Sequence, residues 1–376
     1  MFGKSGRTYA MAEEVGSDMT GQGDALAVGT PRTVRALGDD ARVKMEDVAA
    51  LAGVSIGTVS NTINRPEIVR RNTREAVERA IRELGFVPNQ QARMLVGVSS
   101  QVLGLVVMDI ASPLFMAVAR AVERAAAEAG HVLILGNSDG SPEREGAMLD
   151  VLAAERVRGV LLSPSASDNL DRQALAARRL PVVFLDFASS PEDCSVAVDN
   201  MHGSGLAVRH LLDLGHERLA FVGGPAGLQQ MAQRVRGARE TIVEAGLDPS
   251  VSLVELALPG IGIQDGMLAA ERLLESGLPT GIFCGNDMMA FGVYRGLARA
   301  GVRIPEDVAL VGYDDIDFAA DWVVPLTSVR QPVDELGQQA TRLLLEHTSG
   351  EESHVHRQVI LQPELIVRNS SDPRSR

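Results

Sequence analysis

Aromatic side chains and long apolar runs are both scarce in this chain of 376 residues. Phenylalanine, tyrosine and tryptophan make up 3% of it, which argues against a stacking surface for single-stranded nucleic acid. No apolar run approaches the roughly 18 residues that a membrane helix needs. The N-terminus (MFGKSGRTYAMAEEVGSDMTG) lacks the apolar core of a secretory signal. These absences predict a cytoplasmic protein without a membrane partner.

Cysteine is also rare. The two cysteines, Cys194 and Cys284, lie far apart in the sequence and form no CxxC pair. This spacing suggests neither a zinc site nor a disulfide framework. We expect two buried thiols, no bound metal and no cofactor.

Positive charge is low overall but locally concentrated. The formal net charge is −13, yet residues 42–100 hold nine Arg and Lys residues against six acidic ones, a local net charge of +3. Phosphate contact needs only local positive charge. A small cationic module on an acidic body therefore fits a DNA-binding end, although chance clustering would give the same count.

Strands and helices alternate through most of the chain. Apolar runs predict buried strands at 103–108, 131–136, 158–163, 181–186, 218–224, 280–285 and 308–315. Amphipathic stretches predict helices at 115–130, 142–155, 201–214, 230–246, 265–276, 287–300 and 332–348. This alternation indicates an α/β fold of parallel sheets with helices on both faces.

Polar residues follow several of the predicted strands, at the ends where parallel sheets bind ligands. They are Asp109, Asn137 to Asp139, Asp186, Asn286, Asp287 and Asp314. Their positions predict a small-molecule pocket.

The segment 45–66 (MEDVAALAGVSIGTVSNTINRP) has the spacing of a helix-turn-helix. Gly53 can adopt the positive φ that a tight turn between helices demands, and Ser55 is placed to cap the second helix. The apolar residues expected to pack the two helices together are Val48, Ala49, Leu51, Val54, Val59 and Ile63.

A third helix (70–86) and the segment VPNQQARMLVG (87–97) follow this motif. With them, the chain closely resembles the LacI/GalR family of transcriptional regulators from about residue 43 to 370. The resemblance implies an all-α helix-turn-helix head, a hinge helix and a two-lobed sensor core like that of periplasmic binding proteins. The predicted divisions are a flexible tail at 1–41, the helix-turn-helix domain at 42–87, the hinge helix and linker at 88–100, the effector-binding core at 101–370 and a polar tail at 371–376.

The resemblance also implies that the second helix reads double-stranded DNA. The DNA-binding residues that it predicts are Ser55, Ile56, Gly57, Thr58, Ser60, Asn61, Asn64 and Leu95. Asn61 stands where the family usually has Arg, and Asn prefers adenine whereas Arg bridges guanine. The outer operator bases should therefore differ from the family's common ones, unless Asn61 is simply a solvated helix residue.

Leu95 matches the family's hinge leucine, which wedges into the minor groove at the operator's centre. Two hinge helices from two subunits must meet there, so the resemblance implies a homodimer on a pseudo-palindromic operator. Packing within a linker helix is the alternative for Leu95. No leucine heptad follows residue 365, which favours a dimer over a tetramer.

In the sensor core, the resemblance assigns an effector site to Phe115, Arg234, Asn286, Asp287 and Asp314. A guanidinium can donate paired hydrogen bonds to hydroxyls or a carboxylate, which suits a sugar or nucleoside-like effector. Each of these residues could instead make a strand-end or helix-cap hydrogen bond, and Asp287 could cap a helix that begins at Met288.

The segment Asp186–Phe187 departs from the family, which commonly has Asp-Arg at these positions. Phe187 lacks the donor that this Arg supplies, so the usual set of hexose contacts is in doubt.

Together these features predict a sequence-specific transcriptional regulator, by family habit a repressor, whose operator affinity is controlled allosterically by a small effector. A transport-binding protein shares the two-lobed core, but it would need an export signal and no basic head. An enzyme is disfavoured because neither GxSxG nor HExxH is present. The sequence names neither the effector nor the direction of its effect.

Overall fold

The computed structural model describes residues 43–87, 100–165, 172–349 and 354–372. The chain divides into two units, Met1–Asn89 and Gln90–Arg376, here called the head and the sensor core. The predicted tail at 1–41, most of the predicted hinge (88–99, with Leu95) and the end of the C-terminal tail lie outside the described residues. Within the described ranges, no helix is both long enough and apolar enough to cross a membrane.

The head contains three helices, α1 (Met45–Ala52), α2 (Ile56–Asn64) and α3 (Arg71–Leu84), with a 3₁₀ turn at Pro66–Ile68. Gly53 ends α1 at φ 67°, and the Ser55 hydroxyl caps α2 by accepting a hydrogen bond from the Thr58 N–H at 3.1 Å. Both features were expected from the sequence. The buried apolar residues of the head are Val48, Ala49, Val59, Val77, Ala80 and Phe86.

The prediction that Leu51 packs between the helices of the head is wrong. Leu51 is 47% exposed, whereas Val48 and Ala49 of the same helix are buried. A helix turns about 100° per residue, which places Leu51 to one side of the stripe that faces the other helices. The buried apolar face of α1 is therefore narrower than the number of its apolar residues suggests.

The sensor core has two lobes, each built on a six-stranded sheet. Lobe 1 has the strand order β11-β5-β4-β3-β1-β2, in which every neighbouring pair is parallel. Its elements are β1 (Val102–Val107), α4 (Pro113–Glu128), β2 (Val132–Asn137), α5 (Pro142–Ala154), β3 (Val160–Leu162), α6 (Arg172–Ala177), β4 (Val182–Leu185), β5 (Cys194–Val198), α12 (Val333–His347) and β11 (Gln358–Leu361).

Lobe 2 repeats this arrangement with the strand order β12-β10-β9-β8-β6-β7, in which only β12 is antiparallel to its neighbour. Its elements are α7 (Asn200–Asp213), β6 (Leu219–Gly223), α8 (Gln229–Glu244), α9 (Pro249–Ser252), β7 (Leu253–Ala257), α10 (Ile263–Ser276), β8 (Gly281–Cys284), α11 (Asp287–Arg299), β9 (Ala309–Asp314), a 3₁₀ turn (Asp317–Ala319), β10 (Thr327–Arg330) and β12 (Glu364–Ile366).

Apolar packing covers both faces of the lobe 1 sheet, as parallel strands require. Along β1, Leu105 and Val107 contribute to the cluster that includes α4 and α12, whereas Val106 contributes to the cluster that includes α5. All seven predicted strands are present, with bounds shifted by a residue or two. The predicted fold class is confirmed.

The chain passes between the lobes three times, at residue 199, at 331–332 and at 362–363. Lobe 1 is thus completed by one segment that returns from lobe 2 and carries α12 and β11. The carboxyl ends of β4 and β9, one from each lobe, carry Asp186 and Asp314 into the space between the lobes.

Candidate effector site and nucleic-acid interface

The α2 helix presents the predicted DNA-reading residues on its exposed side. Ile56 is 47% exposed, and Gly57 and Asn61 are also exposed. The opposite side is buried through Val59 and through Thr62, whose hydroxyl donates to the Thr58 carbonyl at 2.9 Å. This arrangement leaves the reading positions free of core packing.

Other predicted DNA-contacting residues brace α2 internally. The hydroxyls of Ser55 and Thr58 lie 2.9 Å apart at its first turn, and the Asn64 amide donates to the Ser60 hydroxyl at 3.3 Å near its last turn. These bonds hold the side chains against α2, and their contact with DNA phosphates stays a prediction.

A cavity between the two lobes brings together four of the five predicted effector residues: Phe115, Arg234, Asn286 and Asp314. Its other lining residues include Met108, Ser112, Asp186, Gln230, Met231 and Ile261. The cavity volume is about 30 Å³. Small-molecule sites usually span roughly 300–1,000 Å³, so the two lobes are closed on each other in this structure.

Arg234 on α8 is the most constrained charged group of this cavity, with 2% of its surface exposed. Its Nε donates to the Asn200 side-chain oxygen at 2.8 Å, and its Nη1 donates to the Gly285 carbonyl. The guanidinium lies 3.5 Å above the centre of the Tyr313 ring and 3.9 Å from Asp314 Oδ1. All of these partners belong to lobe 2, which therefore holds Arg234 in place without help from lobe 1.

Two buried carboxyl groups approach Arg234 from opposite lobes. Burial raises the pKa of Asp186 to about 6, against the opposing influence of Arg234 and of the hydrogen bond from Gln230. Burial also raises the pKa of Asp314, again opposed by Arg234 and by the hydrogen bond from Gln331. Desolvation outweighs attraction at both sites, so burial makes the charged form of each carboxyl less favourable than it is in water.

Both carboxyl residues also have unusual backbone conformations. Asp186 has φ 52° and Asp314 has φ 111°. The left-handed region is uncommon for residues other than glycine, and Asp and Asn are among the side chains that tolerate it best. Such strain is often found at binding sites.

Asn286 and Asp287 differ in what they do. Asn286 caps α11 by accepting from the Met289 N–H at 2.8 Å, and its amide donates to the Ile261 carbonyl at 3.0 Å. The α11 helix begins at Asp287, so the interpretation of Asp287 as the cap of a helix starting at Met288 is wrong. The residue that caps α11 is Asn286, which has the extended backbone of an N-cap.

Asp287 is fully buried and is not among the residues that line the cavity. Its two oxygens accept hydrogen bonds from the Ser328 hydroxyl at 2.6 Å and from the Ile316 N–H at 2.9 Å. Burial and then the neighbouring Asp314 raise its pKa, whereas these two hydrogen bonds lower it. Asp287 thus joins α11 to β10 and to the loop that follows Asp314.

Two consecutive glutamines on α8 join the lobes, and sequence reasoning missed both. The Gln229 side chain accepts from the Ala188 N–H at 2.8 Å and donates to the Ala188 carbonyl at 3.0 Å. The Gln230 amide donates to the Asp186 carbonyl at 2.8 Å and to its carboxylate at 3.2 Å. The only available signal was two adjacent amides at the start of a predicted helix, which does not reveal that lobe 1 lies opposite.

The departure at Phe187 has a clear structural role. Phe187 is buried against Phe184, with 5.7 Å between the ring centres, and is not among the cavity-lining residues. It belongs to the apolar cluster on one face of the lobe 1 sheet. The cavity consequently has no cation from this position.

A larger cavity of about 520 Å³ adjoins the small one, and the two share Leu114 and Asp314. It lies between the start of α4 in lobe 1 and the 314–320 segment of lobe 2. Arg120, Arg330 and Arg368 line it beside Asp315 and Asp317.

Two family models match the chain. The model described as "Bacterial regulatory proteins, lacI family" matches residues 44–89, and the model described as "Periplasmic binding protein-like domain" matches residues 208–371. The first match covers all three helices of the head. The second covers most of lobe 2 and also α12 and β11 of lobe 1.

Full-length relatives share this arrangement. The ribose operon repressor of Escherichia coli (strain K12) is 34% identical over 330 residues, which cover 87% of this chain and 99% of the repressor. The HTH-type transcriptional regulator CelR of Thermobifida fusca is 37% identical over 341 residues, which cover 88% of this chain and 98% of CelR.

Solved structures agree in fold. A Lac repressor dimer bound to operator and the anti-inducer ONPF matches with a TM-score of 0.76 at 27% identity, over 88% of this chain and 99% of that chain. A CelR–cellobiose complex matches with a TM-score of 0.66 at 32% identity, over 88% of this chain and 100% of that chain.

Proposed function

The chain belongs to the LacI family of bacterial regulatory proteins, and on this basis we propose that it is a repressor whose hold on a pseudo-palindromic operator is controlled by a small effector bound between lobes 1 and 2. It is a DNA-binding transcriptional regulator. The proposed function requires only binding of the effector, so it involves no catalysis. Because the bacterial chromosome lies in the cytoplasm, the proposed function also implies a cytoplasmic protein.

The observation that carries the proposal is the convergence of Arg234, Asp186 and Asp314 on one interlobe cavity with Phe115 at its wall. A guanidinium donates to hydroxyl oxygens, carboxylates accept from hydroxyl groups, and an aromatic ring packs on the C–H face of a sugar. A polyhydroxylated effector satisfies all three. Relatives whose names or structures refer to ribose and cellobiose support a sugar in particular.

Within this site we assign Asp287 a positioning role instead of direct effector contact. Both of its oxygens are engaged by Ser328 and Ile316, and Asp287 is not among the residues that line the cavity, whereas Asp314 is. Asp287 would fix the loop that carries Asp314 and Asp315. Phe115, Arg234, Asn286 and Asp314 remain the proposed contacts.

At the other end of the chain, we assign operator reading to the exposed side of α2, with Ile56, Gly57 and Asn61 toward the bases. Because the first turn of α2 also presents free N–H groups, its N-terminus suits a phosphate oxygen. The Lac repressor structure that this chain resembles is a dimer bound to operator. We infer the same use of the head here, with the predicted hinge residue Leu95 at the operator centre.

A homodimer is supported by apolar residues exposed at the edge strands of both sheets. On the lobe 1 edge, β2 exposes Val132, Ile134 and Leu135, of which Val132 is 66% exposed. On the lobe 2 edge, Val254 of β7 and the neighbouring Val251 are exposed. Unprotected apolar edge strands are unusual in a monomer because they invite pairing, so we propose that a second copy covers these edges.

The closed cavity suggests how the effector acts. A sugar does not fit a space of about 30 Å³, so the lobes must separate before it binds, and the bonds from Gln229 and Gln230 to lobe 1 must break or reform. An effector that binds one lobe arrangement better shifts the population toward it. Coupling of roughly 1–3 kcal/mol would change operator affinity about 5- to 150-fold.

The test is an unbiased selection of double-stranded DNA by the full-length chain, followed by binding measurements on the selected site. We expect a palindromic sequence, and we expect binding to be lost by a fragment that lacks residues 1–98 and weakened by Leu95→Ala. Thermal-shift screening with ribose, cellobiose and nucleosides should find a ligand that raises the melting temperature. Selection of no sequence, with or without such ligands, would refute the proposal.

A further inference from the structure

A second cluster of ligand-type side chains lies in lobe 1, away from the effector cavity. It consists of Cys194, His347, His354 and His356, here called the Cys194 cluster. Cys194 is the first residue of β5, His347 is the last residue of α12, and the other two histidines precede β11. The sequence predicted no metal site, because about 160 residues separate the cysteine from these histidines.

The geometry of three of these residues suits a metal ion. Cys194 Sγ lies 3.1 Å from His354 Nε2 and 3.5 Å from His356 Nδ1, and all three ligand atoms lie within 4.8 Å of one another. A tetrahedral zinc ion with Zn–S of about 2.3 Å and Zn–N of about 2.0–2.1 Å would place sulfur and nitrogen about 3.5 Å apart. Small movements of the histidines would bring all three atoms to bonding distance.

The surrounding structure holds these ligands together. The Ser195 N–H donates to the Arg357 carbonyl at 3.0 Å and so fixes the chain beside His356 against the start of β5. The His347 ring stacks on His354 with 4.5 Å between ring centres and 3° between ring planes. The rings of His354 and His356 are nearly perpendicular, at 89°, which directs their nitrogens from different sides.

A further observation points to a ligand at this place. His347 Nδ1 is buried, and among the residues that the structure describes it has no hydrogen-bond partner. A buried ring nitrogen without a partner is costly in a native protein. Cys194 is fully buried and His356 is exposed, so an ion can reach the cluster from solvent.

We propose that Cys194, His354 and His356 bind one thiophilic divalent metal ion of the zinc class. One thiolate and two imidazoles favour zinc over magnesium or calcium, which prefer oxygen ligands. Metal binding requires the thiolate, so the thiol proton of Cys194 passes to solvent as the metal–sulfur bond forms. Three protein ligands leave one tetrahedral position for water, as in exchangeable zinc sites.

The position of the site suggests what the metal would do. Cys194 begins β5, so the cluster lies at the amino-terminal edge of the lobe 1 sheet, whereas the effector cavity lies at the carboxyl ends of the strands. The ion would tie the last turn of α12 and the segment before β11 to β5. It would therefore stabilise lobe 1 without occupying the effector site, and this inference does not depend on the proposed function.

Cobalt(II) titration of the full-length, chelator-treated chain tests the proposal. We expect one equivalent of cobalt to bind with a thiolate-to-cobalt charge-transfer band in the near ultraviolet, and zinc to displace it. Zinc should also raise the melting temperature of the full chain. His354→Gln and His356→Gln should each weaken cobalt binding by at least roughly tenfold, since even residues that only support metal ligands contribute that much.

Controls separate metal ligation from folding. Cys194→Ser should abolish the charge-transfer band, whereas Cys284→Ala, which changes the buried cysteine of lobe 2, should leave the band intact. His202→Gln, at an exposed histidine on α7, should leave cobalt affinity unchanged. Because His356 is exposed, its variant should fold even if Cys194→Ser does not. A missing band in the unmodified chain, or a band that survives both histidine changes, would overturn the proposal.

Discussion

The two lobes of the sensor core share one strand order but contribute different chemistry to the cavity between them. Lobe 2 supplies Arg234 and Asp314, already engaged with each other and with neighbouring groups of the same lobe. Lobe 1 supplies apolar walls such as Met108 and Phe115 and one carboxyl group, that of Asp186. Lobe 2 is thus a preformed polar clamp, whereas lobe 1 acts as a cover that Gln229 and Gln230 hold closed through hydrogen bonds.

The largest effect is expected where the clamp is broken. Arg234→Ala removes a guanidinium with 2% exposure, leaves the Asn200 and Gly285 oxygens without their donor and takes the cation away from Asp314. Hydrogen bonds to charged groups contribute about 1.5–3 kcal/mol each, so effector affinity should fall by at least about 100-fold. Isothermal titration with the ligand found by thermal-shift screening measures this loss.

Arg236 provides a matched control on the same helix. Its side chain is 70% exposed and pairs with Glu240 one turn away, so Arg236→Ala should leave effector affinity unchanged. Equal losses in both variants would indicate damage to α8 and would contradict a specific role of Arg234.

The next largest effect concerns the carboxyl group of lobe 1. Burial raises the pKa of Asp186 from 3.8 to about 6, so the folded protein keeps a proton that the unfolded chain has already released. The stability that comes from protonated Asp186 is complete below pH 4 and is lost as the pH rises through 6. Asp186→Asn keeps the side chain neutral at every pH. The melting temperature of this variant, relative to that of the unmodified chain, should therefore increase from pH 4 to pH 7. The corresponding gain in the free energy of unfolding is up to about 3 kcal/mol.

Asp139 offers the control for this prediction. It has nearly the same backbone conformation, φ 53°, but is exposed, so Asp139→Asn shows how much of the change at Asp186 comes from placing Asn at such a backbone position. A flat difference for Asp186→Asn would show that burial does not perturb this group.

A smaller effect is expected from loosening the cover. Gln229→Ala removes both hydrogen bonds to Ala188 without touching Arg234. Each such bond contributes about 0.5–1.5 kcal/mol, so open lobes should become more populated and the effector should associate faster. Stopped-flow association rates and small-angle scattering measure the change, and an unaltered rate with unaltered dimensions would mean that other contacts close the lobes.

The smallest effect is expected at the apolar wall. Phe115→Leu keeps the position buried and apolar but removes the aromatic face. An aromatic contact adds about 0.5–1.5 kcal/mol beyond its area, so effector affinity should decrease roughly two- to tenfold by titration. A loss of effector affinity as large as that of Arg234→Ala would mean that the apolar wall of lobe 1 contributes as much to binding as the polar groups of lobe 2.

Local patterns in the sequence predict much of this fold. Long apolar runs identify seven strands, whereas β5, β7, β10, β11 and β12 were not predicted because each contains a polar residue that shortens its apolar run, such as Ser195 in β5 and Glu255 in β7. In β10, Thr327 and Ser328 are fully buried, but their hydroxyls are satisfied by Ser371 and Asp287, which are distant in the sequence. Such partners are visible only after folding.

The candidate site was predictable to a similar degree. The resemblance to the LacI/GalR family indicates Arg234, and the strand ends indicate Asn286 and Asp314. The roles of Gln229 and Gln230 depend on the approach of residues 186–188 from the other lobe, which no local pattern encodes. The Asp287 side chain is likewise committed to groups about 29 and 41 residues away, so its burial behind the site could not be read from its strand-end position.

The most direct test of the account is the operator affinity of the full-length chain, measured by fluorescence anisotropy on the selected duplex, with and without a saturating amount of the stabilising metabolite. We predict that the metabolite changes the affinity of the unmodified chain roughly 5- to 150-fold and that Arg234→Lys binds the same duplex but no longer responds. An affinity that the metabolite leaves unchanged in the unmodified chain, or an equal response in the variant, would contradict control of DNA binding from the cleft between the lobes.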